Sequence, residues 1–349
     1  MRNFFEDTYI NIGLKRQLIN LISEISEYKG KLTAYQEQRP DIFNNLERII
    51  PLHYTKNFTT VYTDKKISKK RIKELTFDNI VPESVTEDAI LCYHQTLSLV
   101  HKEPCTFSIN PETIQELHFQ LINYYTSDSG NWRQKPCPIP KIKDKAIYIS
   151  NECLFPYEFI PQTIEDLCHQ YNSLAHNKKL HSLLLIARFL LNLYCIVPFS
   201  KGNGRLTLML LHLLLIKSGH TFIKYVCLDE YVQKNHSEYY DAIYKSSVNW
   251  YCNEHNISFW LKSFLTIILE AYKDLHNKVQ DSICKHSKIK RIENFILNQK
   301  QPFTKEAIRS IYPDIADCTI SKTLHNLHLS GKVKLISKGR NARWMKVLP

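Results

Sequence analysis

Two stretches of the chain are apolar on every face of a helix: LLLIARFLLNLYCIV (residues 183–197) and LTLMLLHLLLI (residues 206–216). Neither can turn a polar side to water, so each belongs in the middle of a core, surrounded by other helices. A membrane span fails on length, because a bilayer needs about 20 apolar residues in a row, and Arg188 interrupts the first run. Between the two stands PFSKGNGR, residues 198–205. Only eight glycines occur in the chain, and two of them lie here, one residue apart. Gly and Asn are ordinary turn residues, so the four letters GNGR alone describe a plain turn. A loop that opens directly into a long helix, however, exposes unpaired N–H groups and the positive end of the helix dipole. Arg205 adds a full charge there, and the whole fits an anion, most naturally phosphate. A P-loop is excluded, since GxxxxGK[ST] is absent and no strand precedes the glycines.

The remainder reads as mainly helical. Apolar spacing predicts helices over residues 16–38 and 86–102. A further start is marked by Asn110 as cap, Pro111 in the first turn and Glu112 near the positive helix end. Residues 127–162 break the rhythm with proline and glycine, and AIYIS (residues 146–150) reads as a short strand. Helical patterns return over residues 161–174, 226–247 and 258–275, followed by a polar, charged run over 273–290 that reads as a linker or helical connector. At 349 residues and 44% hydrophobic content, with no low-complexity tract, the chain is expected to fold throughout as two or three domains. Its ten cysteines are scattered, with no CxxC and no zinc-ligand spacing, so they read as reduced thiols. The start, MRNFFEDTYINIGLKR, lacks an apolar signal core. A cytoplasmic location without membrane association is expected.

Charge is unevenly spread. Residues 286–349 hold 13 Lys/Arg against 4 Asp/Glu, leaving there +9 of the total +12. A compact basic module on a nearly neutral body is the electrostatic footprint of a nucleic-acid contact, although a solvated basic surface has the same composition. Within it, three short helical patterns precede VKLISKGRNARWMKVLP (residues 333–349), two strands around a Gly-containing tip. That is the order of a winged helix-turn-helix. In this reading Thr319, Ser321, Lys322 and His325 reach a groove from the recognition helix, Ile320, Leu324 and Leu327 face the core, and Lys338, Arg340 and Arg343 of the wing meet phosphates. Winged helices also serve as protein-interaction modules.

The segment VPFSKGNGRLTL (residues 197–208) resembles the Fic (Fido) motif HPFx(D/E)GNGRxxR, which joins two central helices of an α-helical domain and catalyses AMP transfer from ATP to a protein hydroxyl. GNWRQKP (residues 130–136) resembles that family's Gly-x-x-Arg stretch, AIYISNECLFPYEFIPQTIEDL (146–167) its β-hairpin flap and following helix, and EYVQKNHSEYYDAI (230–243) its adenine-side helix. The resemblance covers about residues 60–270. It implies ATP as the nucleotide, bound through Lys201, Gly202, Asn203, Gly204, Arg205 and Tyr240, with Tyr240 equally well explained by packing. The departures fall on the reactive positions. Val197 stands where the resemblance places the general base, Lys201 where it places the acid that holds Mg²⁺, and Leu208 where it places a second, phosphate-binding arginine. A positioned base is worth about 10²- to 10⁴-fold and a metal's charge stabilisation several kcal/mol. No catalytic residue is therefore assigned, and Mg²⁺ is not expected. Many relatives carry an inhibitory helix with the pattern (S/T)xxxE(G/N); aligned here, its glutamate corresponds to Lys65 and its glycine to Lys66. His212, two turns past Arg205, reads as a hydrogen-bonded core histidine rather than a substitute base.

Together these features predict a mainly α protein with a helical N-terminal region (1–110), an all-helical Fido core with a small β-hairpin flap (111–272), a linker (273–287) and a winged helix-turn-helix (288–349). The expected role is that of a catalytically impaired protein adenylyltransferase homologue, a pseudoenzyme that binds nucleotide or phosphate and DNA. A transferase using a non-standard base or another phosphate donor is the alternative. The sequence leaves the protein target unnamed and is compatible with a homo-oligomer.

Overall fold

The computed structural model describes all residues except 1, 6–11, 63–66, 79, 137–140, 143–144, 147–154, 179, 300, 338, 340–341 and 348–349. Lys65 and Lys66 lie outside the described residues, as does most of AIYIS.

Helices α1 (Ile12–Gln38) and α2 (Pro40–Tyr62) are followed by α3 (Lys69–Phe77) and α4 (Val85–Lys102). Ser68 and Ser84 cap the last two by accepting from Arg71 N–H and Glu87 N–H, which satisfies donors that a helix start leaves orphaned. Helix α5 (Pro111–Ile122) begins as the sequence predicts, with Asn110 Oδ1 accepting from Thr113 N–H at 2.9 Å. A two-stranded antiparallel pair, β1 (Lys141–Ile142) and β2 (Lys145–Ala146), interrupts the helical order. Then come α6 (Ile160–Asn177), α7 (Ser182–Ile196), α8 (Asn203–Lys217), α9 (Leu228–Lys234), α10 (His236–Ser247) and α11 (Ser258–Asn298).

The two apolar runs are α7 and α8, packed on each other, with α6 and α10 also against α7 and α4 and α5 also against α8. Every residue of α8 from Leu206 to Ile216 is buried, as the lack of a polar face requires. Several polar groups of α7 are answered individually. Arg188 Nη1 donates to Phe5 O at 2.8 Å, Asn192 Oδ1 accepts from Trp250 Nε1 at 2.8 Å, and Ala187 O accepts from the buried Trp260 indole at 2.7 Å. No helix among the described residues is long and apolar enough to cross a membrane.

Residues 1–276 make one compact unit and 277–349 a second. The division expected at residue 110 is therefore not a boundary between compact units, because α4 packs on α5 and α8 across it. The linker expected at 273–287 lies within α11; its charged residues continue the helix instead of interrupting it. In the second unit, β3 (Phe303–Thr304), α12 (Lys305–Ile311), α13 (Asp317–Leu329), β4 (Val333–Ser337) and β5 (Arg343–Lys346) complete the chain. The strands form an antiparallel sheet in the order β3-β5-β4. Ile292, Ile296, Ile308, Ile320, Leu324 and Val333 form its core, so the expected inward face of α13 is the one buried.

Candidate functional site

The connection from α7 to α8 turns sharply at Val197, which ends α7 in the left-handed region with φ 49° and ψ 66° and is buried. This conformation is unusual for a β-branched residue and costs about 1–3 kcal/mol, so the surroundings must hold it. Arg133, itself buried, does so through carbonyls. Its Nε donates to Val197 O at 2.7 Å, its Nη2 to Ile196 O at 3.4 Å and to Phe155 O, its Nη1 to Lys135 O at 3.2 Å, and its backbone N–H to Pro198 O at 2.9 Å. A guanidinium has five donors in a fixed fork, and here they are spent on main-chain oxygens that the turn would otherwise leave buried without partners.

Asn203 shapes the loop from its other end. Its Oδ1 accepts from Phe199 N–H at 3.1 Å and its Nδ2 donates to Phe199 O at 2.7 Å. The Asn203 side chain is thus occupied within the loop, and its main-chain N–H has no acceptor among the described residues. Phe199 is fully buried, stacked on His118 with ring centroids 3.6 Å apart and 9° between planes. Gly202 precedes α8 at φ 79°, and a Cβ there would lie 3.1 Å from Ile122 and 3.2 Å from His118 Nε2. At Gly204 a Cβ would meet nothing within 4 Å. The first glycine is required by backbone and packing; the second keeps space open in the first turn of α8.

The two cations of the loop rest on tyrosines. Lys201 is exposed, with Nζ 3.1 Å from Tyr125 Oη and 4.7 Å from that ring's centroid. Arg205 Nη1 donates to Tyr124 Oη, and its guanidinium carbon lies 5.4 Å from the Phe58 centroid. Leu208 is buried on α8. Tyr240 lies on α10, with its ring 4.6 Å from that of His236, and burial pushes its hydroxyl up to about 12. His212 is fully buried, with Nδ1 2.9 Å from His101 Nε2 and Nε2 3.8 Å from Asp229 Oδ1, in agreement with a core role.

His118 and Arg133 are the residues that the sequence did not single out for what they do. Gly130 N–H donates to His118 Nδ1 at 2.9 Å, so the ring proton sits on Nε2, which donates to Lys201 O at 2.9 Å. Burial lowers the pKa of this histidine to about 4. Arg133 had a signal, the GNWR stretch, whereas His118 lies within an ordinary amphipathic helix and had none.

In the second unit, Lys322 and His325 are exposed on α13 and Arg343 on β5, while Thr319 is half-buried and Ser321, also half-buried, accepts from Lys305 Nζ at 2.8 Å. Lys338 and Arg340 lie outside the described residues.

Two outcomes follow. Gly202→Ala should cost about 1–2 kcal/mol for the left-handed backbone alone, with more from the displaced His118, whereas Gly204→Ala should be neutral or gain up to about 1 kcal/mol; urea unfolding measures both. The unfolded chain takes up the His118 proton near pH 6.5 and the folded chain near pH 4. The contribution of neutral His118 is therefore complete above pH 6.5 and is lost as pH falls towards 4, by at most about 1.4 kcal/mol per pH unit. Unfolding of His118→Gln across that range should show a shallower acid slope, with His255, lowered to about 4, still contributing.

The fold has known counterparts. A family model described as Fic/DOC family matches residues 108–215. No curated protein matches the chain. The fold is similar to that of a Fic family protein from Desulfovibrio desulfuricans G20, with a TM-score of 0.62 at 13% identity over 98% of each chain. It is also similar to a Fic domain containing signaling protein from Bacteroides thetaiotaomicron VPI-5482, with a TM-score of 0.58 at 15% identity over 74% of this chain and 98% of the other. The buried α7–α8 pair and the loop that Arg133 and Asn203 shape between them lie inside the matched segment, and residues 108–215 form a Fic/DOC family domain.

Proposed function

We propose that the Fic domain of this chain binds a nucleotide or another phosphate group without transferring AMP, and that the basic C-terminal unit binds DNA, so that the protein acts as a regulator. The observation that carries the first part is Val197. At the base position stands a buried aliphatic side chain whose main-chain oxygen is held by Arg133, and no proton acceptor is offered there. The nearby histidines do not replace it: both ring nitrogens of His118 are hydrogen bonded, and His212 is fully buried two turns along α8.

The anion-binding elements are those the loop still presents. The first N–H groups of α8 lack intrahelical acceptors, Lys201 and Arg205 supply charge, and Gly204 leaves room for close approach. The residues do not fit Mg²⁺. Lys201, a cation, stands at the acid's position, and no group of three or more metal-ligating side chains occurs among the described residues. The Lys201 ammonium provides the positive charge on the phosphate directly.

For the second unit, the element order α11, β3, α12, α13, β4, β5 and the strand order β3-β5-β4 favour a winged helix-turn-helix. Lys322 and His325 are exposed on α13, the expected recognition helix, and Arg343 stands on the wing. The net charge of +9 over residues 286–349 favours DNA over a protein partner.

Incubated with labelled ATP, the unsubstituted chain should label no protein above background, and the triple variant Val197→His, Lys201→Asp, Leu208→Arg should gain activity. Efficient labelling by the unsubstituted chain would establish the alternative, a transferase with a non-standard base. In a gel-shift titration, DNA affinity should fall steeply with salt, because each phosphate contact releases counterions and contributes a log–log slope of about −0.9. Affinity indifferent to salt rules out the DNA assignment.

A further inference from the structure

The peptide that joins Lys201 to Gly202 stands at the centre of the loop, and His118 grips it from the core side. Three observations converge there. His118 is buried on α5 and bonded on both sides, accepting from Gly130 N–H at Nδ1 and donating from Nε2 to Lys201 O, each at 2.9 Å. Its ring is stacked flat on Phe199, whose own backbone is held by Asn203. Gly202 leaves the space that a Cβ would take 3.2 Å from His118 Nε2.

In a planar trans peptide the C=O and the following N–H point in opposite directions. Drawing Lys201 O towards the buried imidazole therefore turns Gly202 N–H the other way, out of the core. The N–H groups of Gly202, Asn203 and Gly204 have no acceptor among the described residues. Successive main-chain N–H groups beside a left-handed residue form an anion-binding concavity. An unsupported 201–202 peptide could instead turn its carbonyl oxygen towards the same place and repel an anion.

We infer that His118 is the positioning residue of the phosphate loop: its Nε2–H fixes the 201–202 peptide so that Gly202 N–H joins the N–H groups of α8 in holding a doubly charged tetrahedral anion. This rests on the anion-site reading above and adds to it the group that orients the site and a third donor, Gly202 N–H. His118 does not touch the ligand.

Sulfate is the probe, because its charge is constant across the working pH range. The full chain is titrated with sodium sulfate at low ionic strength, by calorimetry and by amide chemical shifts of ¹⁵N-labelled protein. Sulfate should bind the unsubstituted chain and move the Gly202 amide together with those of Asn203 and Gly204. His118→Phe retains stacking on Phe199 but neither hydrogen bond, and should weaken binding about tenfold or more, the effect of losing one charge-assisted hydrogen bond. His118→Gln has a donor and an acceptor that can replace both, and should bind within about threefold of the unsubstituted chain.

A folded His118→Phe that binds sulfate normally overturns the inference, and so does a His118→Gln as weak as His118→Phe, since a general packing role would not be rescued by an amide. Should His118→Phe fail to fold, the unsubstituted chain decides: a Gly202 amide that stays still while Asn203 and Gly204 move overturns it. No sulfate binding by the unsubstituted chain removes the anion-site reading itself, an outcome distinct from binding that His118→Phe leaves intact.

Discussion

A turn between two largely buried helices brings main-chain carbonyls into the core, and the rest of this site depends on how they are satisfied. Each unpaired buried carbonyl costs on the order of 1–3 kcal/mol. Arg133 answers those of Ile196, Val197 and Pro198 on one side of the turn and those of Lys135 and Phe155 on the other. A buried cation would itself be costly, but four guanidinium hydrogen bonds to carbonyl oxygens spread its charge over fixed dipoles. The loop, the segment around residue 133 and the chain at Phe155 are thereby tied to one side chain. Asn203 and His118 then fix what Arg133 does not reach, the backbone at Phe199 and at Lys201.

This division of labour explains what was legible in the sequence. The central helix pair was readable because its signal is local: α7 and α8 have no polar face, and burial follows from that alone. The glycine loop was readable because Gly202 needs a positive φ and the next helix begins one residue later. The inward face of α13 was readable for the same reason, with Ile320, Leu324 and Leu327 at helical spacing and all buried. His118 was not readable. Its partners Gly130 and Lys201 lie 12 and 83 residues away, and nothing in the pattern of α5 distinguishes it from any other inward-facing residue. The charged run over 273–287 fits a linker or a helical connector equally well in sequence, since exposed charges are as compatible with a helix face as with a linker, and the chain forms α11 there.

The reading of Asn203 shows where residue-by-residue transfer of a motif oversimplifies. Its letter marks it as part of a phosphate cradle, yet both ends of its amide are engaged with Phe199. Its side chain shapes the loop, and only its main-chain N–H is left without an acceptor among the described residues. Lys201 presents the opposite case. Its side chain lies exposed against Tyr125, in reach of a ligand, while its carbonyl belongs to the core through His118. One residue faces two ways, and a substitution that changes the charge of the side chain leaves the carbonyl's structural bond in place.

Val197 brings these points together. A left-handed backbone at a β-branched residue is a standing cost of about 1–3 kcal/mol, and valine derives no polar benefit from the conformation that could offset it. A chain whose loop mattered only as a turn would relax there, or carry Gly or Asn at the strained position. Instead the strain is held by Arg133 at the carbonyl of Val197 itself, with Asn203 and His118 fixing the residues that follow. The geometry of the loop is thus independent of a reactive side chain at residue 197, since none of the groups that impose it belongs to that side chain. What these contacts preserve is the direction in which Gly202 and the first turn of α8 point.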